Sequence, residues 1–237
     1  MKVGGRERID ILGVLLDRID YHEACTRVEN YLKSHDRKVI VTPNAEIIMA
    51  ARNNRDMMEV LNDADICLPD GIGVVIASRI FGKPLQERTT GFDFMIKILK
   101  LAEIQGLSVF LLGGKVGVAE QAAAKIRELF PGLEIAGTHH GYFKDEEKDE
   151  IIDIINDKEP DILLVAMGFP KQEKFMIENK DKLKFRVAMG VGGSFDVLSG
   201  NVSRAPVFMQ KAGLEWLFRL ITQPWRFKRM MVLPLFL

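Results

Sequence analysis

Short apolar runs alternate along the chain with longer segments in which apolar residues recur every three or four positions. The runs have the length of buried strands, and their predicted extents are Ile9–Leu16, Val39–Thr42, Ile66–Leu68, Ser108–Leu112, Ile135–Gly137, Ile162–Ala166 and Val187–Val191. The longer segments have the period of amphipathic helices, and they include Tyr21–Ser34, Phe92–Ile104, Val116–Phe130 and Lys148–Asp157. Asp20 and Glu23 have the spacing of a capping box at the start of the first helix. This alternation predicts an α/β fold in which a mainly parallel, Rossmann-like sheet carries helices on both faces.

Glycine-rich or polar segments follow five of the predicted strands. They are 43–46, 69–73, 113–117, 167–173 and 192–196. In parallel α/β sheets, ligands bind beyond the carboxyl ends of the strands, and glycine at such a turn lets the backbone approach a ligand. A single loop of this kind is also typical of a tight turn. Several at one edge favour a nucleotide or sugar-phosphate site that includes the backbone of Gly113 and Gly114.

The composition is that of a globular, intracellular protein. Hydrophobic residues make up 47% and charged residues 28% of the 237 residues. The N-terminal MKVGGRERID has no apolar core, so a secretory signal is not expected. Cys25 and Cys67 are too few for a disulfide framework or a zinc site, and both are expected to be inert core residues in a reduced compartment. A cytoplasmic location follows from these features.

The C-terminal segment is basic although the formal net charge of the chain is +0. From Val202 to Leu237 there are six Lys or Arg residues and one acid, Glu215. Trp216 and Trp225 lie there too, and the chain ends in the apolar MMVLPLFL, far short of the ~18 apolar residues of a membrane span. The pattern fits a membrane-surface appendage and an ordinary docked helical pair equally well. We therefore divide the chain into an α/β core, 1–201, and an appendage, 202–237.

Two nucleotide-binding motifs are incomplete. The segment 113–117 has the pattern G-G-x-x-G rather than G-x-G-x-x-G, and no acid closes the next strand. A dinucleotide-dependent oxidoreductase is therefore a weak alternative. No Walker lysine motif is present, which disfavours an NTPase.

The candidate metal ligands are poorly placed. Asp63-Ala64-Asp65 matches the D-x-D of many sugar-nucleotide transferases, but it precedes its strand and so lies at the wrong end of the sheet. His139 and His140 are adjacent, and on an extended segment their side chains point in different directions. The acidic run 145–150 is typical of the first turn of a helix. No metal site is predicted.

Asp70 is the candidate general base. It follows a short buried strand, Pro69 restricts the backbone before it, and two glycines follow. An acid on a rigid turn at the ligand-binding edge suits proton abstraction. A capping role for a helix that begins at Ile72 is at least as consistent with these residues alone.

Many spaced motifs resemble those of the TagA/WecG/CpsF family of bacterial glycosyltransferases, and most closely its TagA-type N-acetylmannosaminyltransferases of wall teichoic acid synthesis. The similarity runs from about Ile9 to the last residue. The core motifs are T-P-N-A-E (42–46), L-P-D-G-I-G (68–73), R-T-T-G-F-D (88–93), F-L-L-G-G (110–114), G-T-H-H-G-Y-F (137–143), G-F-P-K-Q-E (168–173) and G-V-G-G-S-F-D-V (190–197). The tail motifs are R-A-P (204–206), G-L-E-W-L-F-R-L (213–220) and P-W-R-F-K-R-M (224–230).

The resemblance implies a metal-independent, inverting transfer with no cofactor. UDP-N-acetylmannosamine would donate its sugar to the 4-hydroxyl of N-acetylglucosamine on undecaprenyl diphosphate, giving a β-linked disaccharide. The enzyme would lie on the cytoplasmic face of the membrane as a peripheral protein at an anionic surface. No nucleic-acid partner is expected, and a homo-oligomer is compatible with the apolar tail.

The resemblance also assigns roles to residues. Asp70 becomes the catalytic base. The donor-binding set is Thr42, Asn44, Gly113, Gly114, Tyr142, Gln172 and Asp196. Within it Tyr142 would stack on uracil, Asp196 would accept a hydrogen bond from the base edge, and Gln172 would orient the sugar. The set that meets phosphate or acceptor is Arg88, Arg219, Arg226 and Arg229.

Two other classes of protein keep some of these features. An NAD(P)-dependent oxidoreductase would bind its cofactor at 113–117. A non-catalytic sugar-nucleotide-binding protein would keep the glycine loops and would not need Asp70. Release of UDP from a UDP-sugar in the presence of a lipid diphosphate acceptor separates all three.

Overall fold

A six-stranded parallel sheet forms the centre of the molecule. The computed structural model describes residues 2–3, 6–34, 36–85, 90–224, 227 and 236. The strands are β1 (Lys2–Val3), β2 (Arg6–Ile11), β3 (Val14–Asp17), β4 (Lys38–Val41), β5 (Ile66–Cys67), β6 (Ser108–Gly113), β7 (Glu134–His139), β8 (Ile162–Ala166) and β9 (Val187–Gly190). In the large sheet their order is β5-β4-β9-β8-β6-β7, and each neighbouring pair is parallel. The predicted Rossmann-like α/β class is confirmed.

Helices cover both faces of this sheet. They are α1 (Tyr21–Lys33), α2 (Ala45–Arg52), α3 (Arg55–Asn62), α4 (Ile72–Ile80), α5 (Gly91–Gln105), α6 (Val118–Leu129), α7 (Lys148–Lys158), α8 (Lys171–Glu178), α9 (Ser194–Leu198), α10 (Val207–Lys211) and α11 (Glu215–Thr222). A short 3₁₀ turn, Asp145–Glu147, precedes α7. The Asp20 side chain accepts a hydrogen bond from the Glu23 N–H, so the predicted start of α1 is correct.

Alternate residues of each central strand enter opposite core layers. In β6, Val109 and Leu111 face α1, α5, α6 and α9, whereas Phe110 and Leu112 face the layer of α2, α3, α4, α7 and α8. All five residues of β8 are buried. A strand covered on both faces has no polar side, which is why these runs are continuously apolar rather than alternating.

The first predicted strand, Ile9–Leu16, is wrong in extent, because it folds as a hairpin. β2 and β3 pair in antiparallel register, with Ile11 opposite Val14. Leu12 and Gly13 turn the chain with φ of 54° and 93°, and the Asp10 carboxylate accepts a hydrogen bond from the Gly13 N–H. A two-residue turn with both φ values positive matches the twist of a hairpin, so the apolar run is divided between two strands.

The two cysteines have the predicted structural character. Cys67 is fully buried in β5, and Cys25 is half-buried in α1. Burial raises the pKa of the Cys25 thiol. A raised pKa lowers the thiolate fraction of Cys25, and Cys67 has no exposed surface, so neither cysteine is placed to act as a nucleophile.

The basic C-terminal segment contacts the core at Arg204 and at Gly213, on either side of α10. The Arg204 guanidinium donates to the Asp93 carboxylate at 2.7 Å, and Gly213 lies so close to Ile72 that an added Cβ would be 3.1 Å from it. Phe236, near the end of the chain, is 4% exposed and packs in the core, and the membrane-surface role of the appendage stays a prediction. Among the described residues, no helix has both the length and the apolar character needed to cross a membrane.

Candidate active site

The order in which successive strands are added to the sheet reverses between β6 and β8. From β6 the chain passes through α6 to the edge strand β7, and from β8 it passes through α8 on the other face to β9. Such a switch point opens a crevice beyond the carboxyl ends of the strands, which is where ligands bind in open α/β sheets. The predicted strand-end loops therefore lie along one edge, in the order of their strands.

Gly113 and Gly114 lie at the carboxyl end of β6, beside this switch point. A Cβ on Gly113, whose φ is 143°, would lie 2.4 Å from the Ala166 carbonyl oxygen. The Gly114 N–H donates to that same carbonyl at 2.9 Å, and the Gly114 carbonyl accepts from the Gly141 N–H at 2.9 Å. The glycines thus join the ends of β6 and β8 to the loop after β7. Only glycine fits at 113, because backbone occupies the space of a side chain, whereas a Cβ on Gly114 would lie 2.7 Å from the Val118 side chain.

Asp70, Thr42 and Asn44 lie together at the other end of this edge. Their strands β5 and β4 are paired, and the Asp70 N–H donates to the Pro43 carbonyl at 3.1 Å. Gly71, with φ of 86°, is the N-cap residue of α4, so Asp70 precedes the cap position. The Asn44 Oδ1 caps α2 by accepting from the Ile47 N–H at 3.0 Å. The structure brings these three predicted residues together.

The N-terminus of α5 also reaches this corner. A Cβ on Gly91 would lie 2.7 Å from the Thr42 Oγ1, so a glycine is needed for the helix to approach so closely. Asp93, two residues on, binds Arg204, whose guanidinium also lies 4.5 Å from the centre of the Phe92 ring. The first residues of the appendage are therefore attached beside the predicted site.

Gln172 connects the loops that follow β8 and β9. Its Oε1 accepts from the Gly168 N–H at 3.1 Å and from the Gly192 N–H at 3.0 Å. Its Nε2 donates to the Glu173 Oε1 at 2.7 Å. Gln172 is 4% exposed and Glu173 is 2% exposed. The amide oxygen is thus committed within the protein, and the predicted contact of Gln172 with the sugar remains a prediction.

Asp196 and Arg219 line one cleft between α9 and α11. The cleft is also lined by Gly193, Arg204, Glu215 and Gln223. Because α9 packs against α6, Asp196 lies on the same face as the helix that follows the 113–117 loop. Tyr142 follows the edge strand β7 and is 70% exposed, which leaves its ring accessible for stacking. The shared contact of Tyr142 and Asp196 with uracil remains a prediction.

Three predicted residues, Arg88, Arg226 and Arg229, lie outside the described residues. Their roles toward phosphate and acceptor remain predictions. Trp225 also lies outside the described residues.

The D-x-D segment has a structural role. Asp63 is the C-cap residue of α3. The Asp65 carboxylate bonds Lys180 at 2.7 Å and Lys38 at 3.3 Å, and it accepts from the Val39 N–H. Burial opposes ionisation of Asp65, but the hydrogen bonds from Lys180 and Val39 hold its pKa below the ordinary value. This carboxylate ties the amino ends of β4 and β5, at the opposite end of the sheet from Asp70.

The prediction that His139 and His140 point in different directions is wrong. Their ring centres are 4.4 Å apart, and the His139 Nδ1 lies 2.8 Å from the His140 carbonyl oxygen. The strand ends at His139, so the alternation of an extended chain does not reach the second ring.

Two residues near the site received no role from the sequence. In the sequence, Glu173 has the position of an ordinary acid in the first turn of a helix, and no sequence pattern predicts its burial. Arg204 reads as one of several tail cations. Glu173 lies in the motif G-F-P-K-Q-E, and Arg204 lies in the motif R-A-P. These matches to the family motifs are the only sequence signal for either residue.

Comparison with known proteins places the chain in a family. The model of the Glycosyl transferase WecG/TagA/CpsF family matches residues 9–237. A relative from Bacillus spizizenii is 43% identical over 86% of this chain and 79% of its own length. One from Bacillus subtilis strain 168 is 42% identical over 86% and 81%, and one from Staphylococcus aureus MRSA252 is 34% identical over 97% and 91%.

All three relatives are named N-acetylglucosaminyldiphosphoundecaprenol N-acetyl-beta-D-mannosaminyltransferase. The match extends through the sheet, the strand-end loops and the basic tail. An oxidoreductase and a non-catalytic binding protein are both excluded by this result. The chain belongs to the WecG/TagA/CpsF family and is a glycosyltransferase of the hexosyltransferase kind.

Proposed function

We propose that this enzyme transfers N-acetylmannosamine from UDP-N-acetylmannosamine to the 4-hydroxyl of N-acetylglucosamine on undecaprenyl diphosphate. The product is the β-linked disaccharide of the wall teichoic acid linkage unit. The names of the relatives support the transferred N-acetylmannosaminyl group and the N-acetylglucosaminyldiphosphoundecaprenol acceptor, whereas the UDP donor and the 4-hydroxyl come from the family resemblance. The observation that carries the proposal is the corner formed by Asp70, Thr42 and Asn44, where an acid lies beside a ligand-binding edge.

The reaction is a single displacement. The acceptor O4 forms a bond to C1 of the donor sugar from the side opposite UDP, and the bond from C1 to the β-phosphate oxygen breaks. Its electron pair leaves with UDP, and the O4 proton passes to the Asp70 carboxylate. Attack from the opposite side inverts C1, so one base is sufficient. Pairing of β5 with β4 and the Asp70–Pro43 hydrogen bond hold the base in place.

The departing UDP develops negative charge that must be stabilised. We assign this role to backbone N–H groups and to cations, and no metal ion takes part. Arg219 is exposed at the cleft beside Asp196 and is available for it. The remaining assigned cations are Arg88, Arg226 and Arg229. The Asp65 carboxylate supports this assignment, because two lysines bind it at the far end of the sheet.

The acceptor lipid places the reaction at a membrane surface, and we propose the cytoplasmic face. The tail helices carry exposed apolar side chains, with Phe208 71%, Ile221 68% and Trp216 41% exposed. Each Lys or Arg near an anionic surface contributes about 1 kcal/mol, so the basic tail supports reversible attachment. Flotation with vesicles that contain an anionic phospholipid tests this, and retention of the chain in the dense fraction contradicts it.

The catalytic proposal is tested with UDP-N-acetylmannosamine and a short-chain lipid diphosphate that carries N-acetylglucosamine. We expect UDP release and a disaccharide product with a β linkage. Asp70→Asn should lower kcat by about 10²–10⁴-fold while the fold and UDP binding persist, because an amide cannot take the proton. Turnover with only a different UDP-hexosamine would correct the donor. Near-normal turnover of folded Asp70→Asn would remove Asp70 from the mechanism.

A further inference from the structure

The Gln172 amide acts as a bridge between two strand-end loops. Its oxygen accepts hydrogen bonds from Gly168, which follows β8, and from Gly192, which follows β9. Both glycines have positive φ, 73° and 51°, a backbone conformation that glycine adopts readily. The position of one side-chain oxygen thus sets the separation of two backbone segments at the ligand-binding edge.

This bridge works only in one orientation of the amide. If the amide were rotated by 180°, its NH₂ group would face two N–H donors and both hydrogen bonds would be lost. The two N–H groups favour the oxygen on their side. On the other side, the Glu173 Oε1 accepts from the Gln172 Nε2 at 2.7 Å and holds the NH₂ group there. Because the Glu173 Oε1 accepts this hydrogen bond, it reinforces the same orientation.

To contact the Gln172 amide, the Glu173 carboxyl is removed from water, which is unfavourable for a polar group. It is 2% exposed, and its Oε2 has no hydrogen-bond partner among the described residues. A Cβ on Gly190 would lie 2.7 Å from the Gln172 Nε2 and 3.2 Å from the Met176 side chain, so glycine at the end of β9 makes the room for the pair. A buried, half-satisfied carboxyl is unfavourable for folding, which indicates a role other than stability.

We infer that Glu173 is a positioning residue, which holds the Gln172 amide and, through it, the Gly168 and Gly192 loops in the arrangement that receives the sugar-nucleotide donor. This inference rests on the proposed function for its substrate. Glu173 does not touch the reacting atoms. Its effect on turnover passes entirely through Gln172.

Kinetics of four variants test the inference with UDP-N-acetylmannosamine as the donor. Glu173→Leu removes the acceptor, and we expect kcat/KM to fall about 10- to 100-fold, since small displacements of positioning groups have effects of that size. Glu173→Gln keeps an oxygen for the Gln172 NH₂ group and should stay within about threefold of the parent enzyme. Glu173→Leu combined with Gln172→Ala should be no slower than Gln172→Ala alone, because the two residues act as one unit.

The control is Glu178→Leu. Glu178 is an exposed acid at the end of the same helix, so the variant makes the same chemical change away from the pair. We expect unchanged kinetics. Glu173→Leu should also melt no lower than the parent enzyme at pH 8, because it removes a buried carboxyl rather than a packed apolar group. Loss of activity without loss of stability separates positioning from a structural role.

Three results would overturn the inference. They are near-parental turnover of Glu173→Leu, multiplicative losses in the double variant, and equal losses in Glu173→Gln and Glu173→Leu. A second readout is independent of activity: the side-chain amide NMR signals of Gln172 should move in Glu173→Leu and stay nearly fixed in Glu173→Gln. If the parent enzyme released no UDP, the proposed function would fail, and these signals would still decide the inference.

Discussion

Glu173 makes the stability of this protein depend on pH in a predictable direction. Burial raises the pKa of its carboxyl to about 7 from an ordinary 4.5, against the lowering effect of the Gln172 hydrogen bond. The folded protein therefore holds this proton more tightly than the unfolded chain does. The resulting stabilisation is complete below pH 4.5, decreases as the pH rises from 4.5 to 7, and is absent above that range.

The size of the effect follows from the difference between the two pKa values. Each unit of pKa corresponds to 1.36 kcal/mol, so a rise from 4.5 to about 7 gives about 3 kcal/mol over the whole range. Between pH 5 and pH 8 about 2–3 kcal/mol of this is lost. That is a large fraction of the ~5–15 kcal/mol by which domains are stable.

Urea unfolding of the parent protein and of Glu173→Gln at pH 5 and pH 8 measures the effect. The variant carries no titrating group at this position. Between pH 5 and pH 8, the unfolding free energy of the parent protein should therefore fall by about 2–3 kcal/mol relative to that of the variant. Glu178→Gln controls for the loss of one negative charge, and its difference should change by less than about 0.5 kcal/mol. Parallel pH curves for the parent protein and Glu173→Gln would refute the reasoning.

Further predictions concern the glycine loop, the base-binding surface and metal independence. Gly113→Ala should destabilise the fold by at least about 3 kcal/mol in urea unfolding, because the new Cβ would lie 2.4 Å from the Ala166 carbonyl oxygen. The control, Gly117→Ala, has φ of 88° and open space around the new Cβ, and it should cost about 1 kcal/mol. Equal losses in the two variants would contradict this account. Tyr142→Ala should weaken UDP binding by about 1–3 kcal/mol in calorimetry and leave the melting temperature unchanged, since the ring is 70% exposed; unaltered affinity would exclude stacking. Turnover should persist in excess EDTA, and rescue of a chelated, inactive enzyme by Mg²⁺ or Mn²⁺ would show that a metal site exists.

The sequence determined the local elements well because each depends on neighbouring residues. The run Ile162–Ala166 is a strand in the extent predicted, since a short apolar run that begins after Asp161 and stops just before a glycine loop suits a strand buried on both faces. Asp20 caps α1 because its partner N–H is three residues away. The gathering of the glycine-rich loops was predictable too, because loops that follow parallel strands must meet at one edge of the sheet. The site roles came from the family resemblance rather than from these patterns.

Tertiary structure decided what depends on residues distant in sequence. β4 pairs with β9, and no local pattern brings Val39 beside Ala188. Ile9–Leu16 satisfies the pattern of one strand, and only packing of both arms on the core divides it at Gly13. Glu173 has the sequence context of a surface acid, but in the fold it is 2% exposed and bonded to the Gln172 amide. Burial and amide orientation arise from the surrounding packed elements, so only the assembled fold sets the pKa of Glu173 and the position of the Gln172 oxygen.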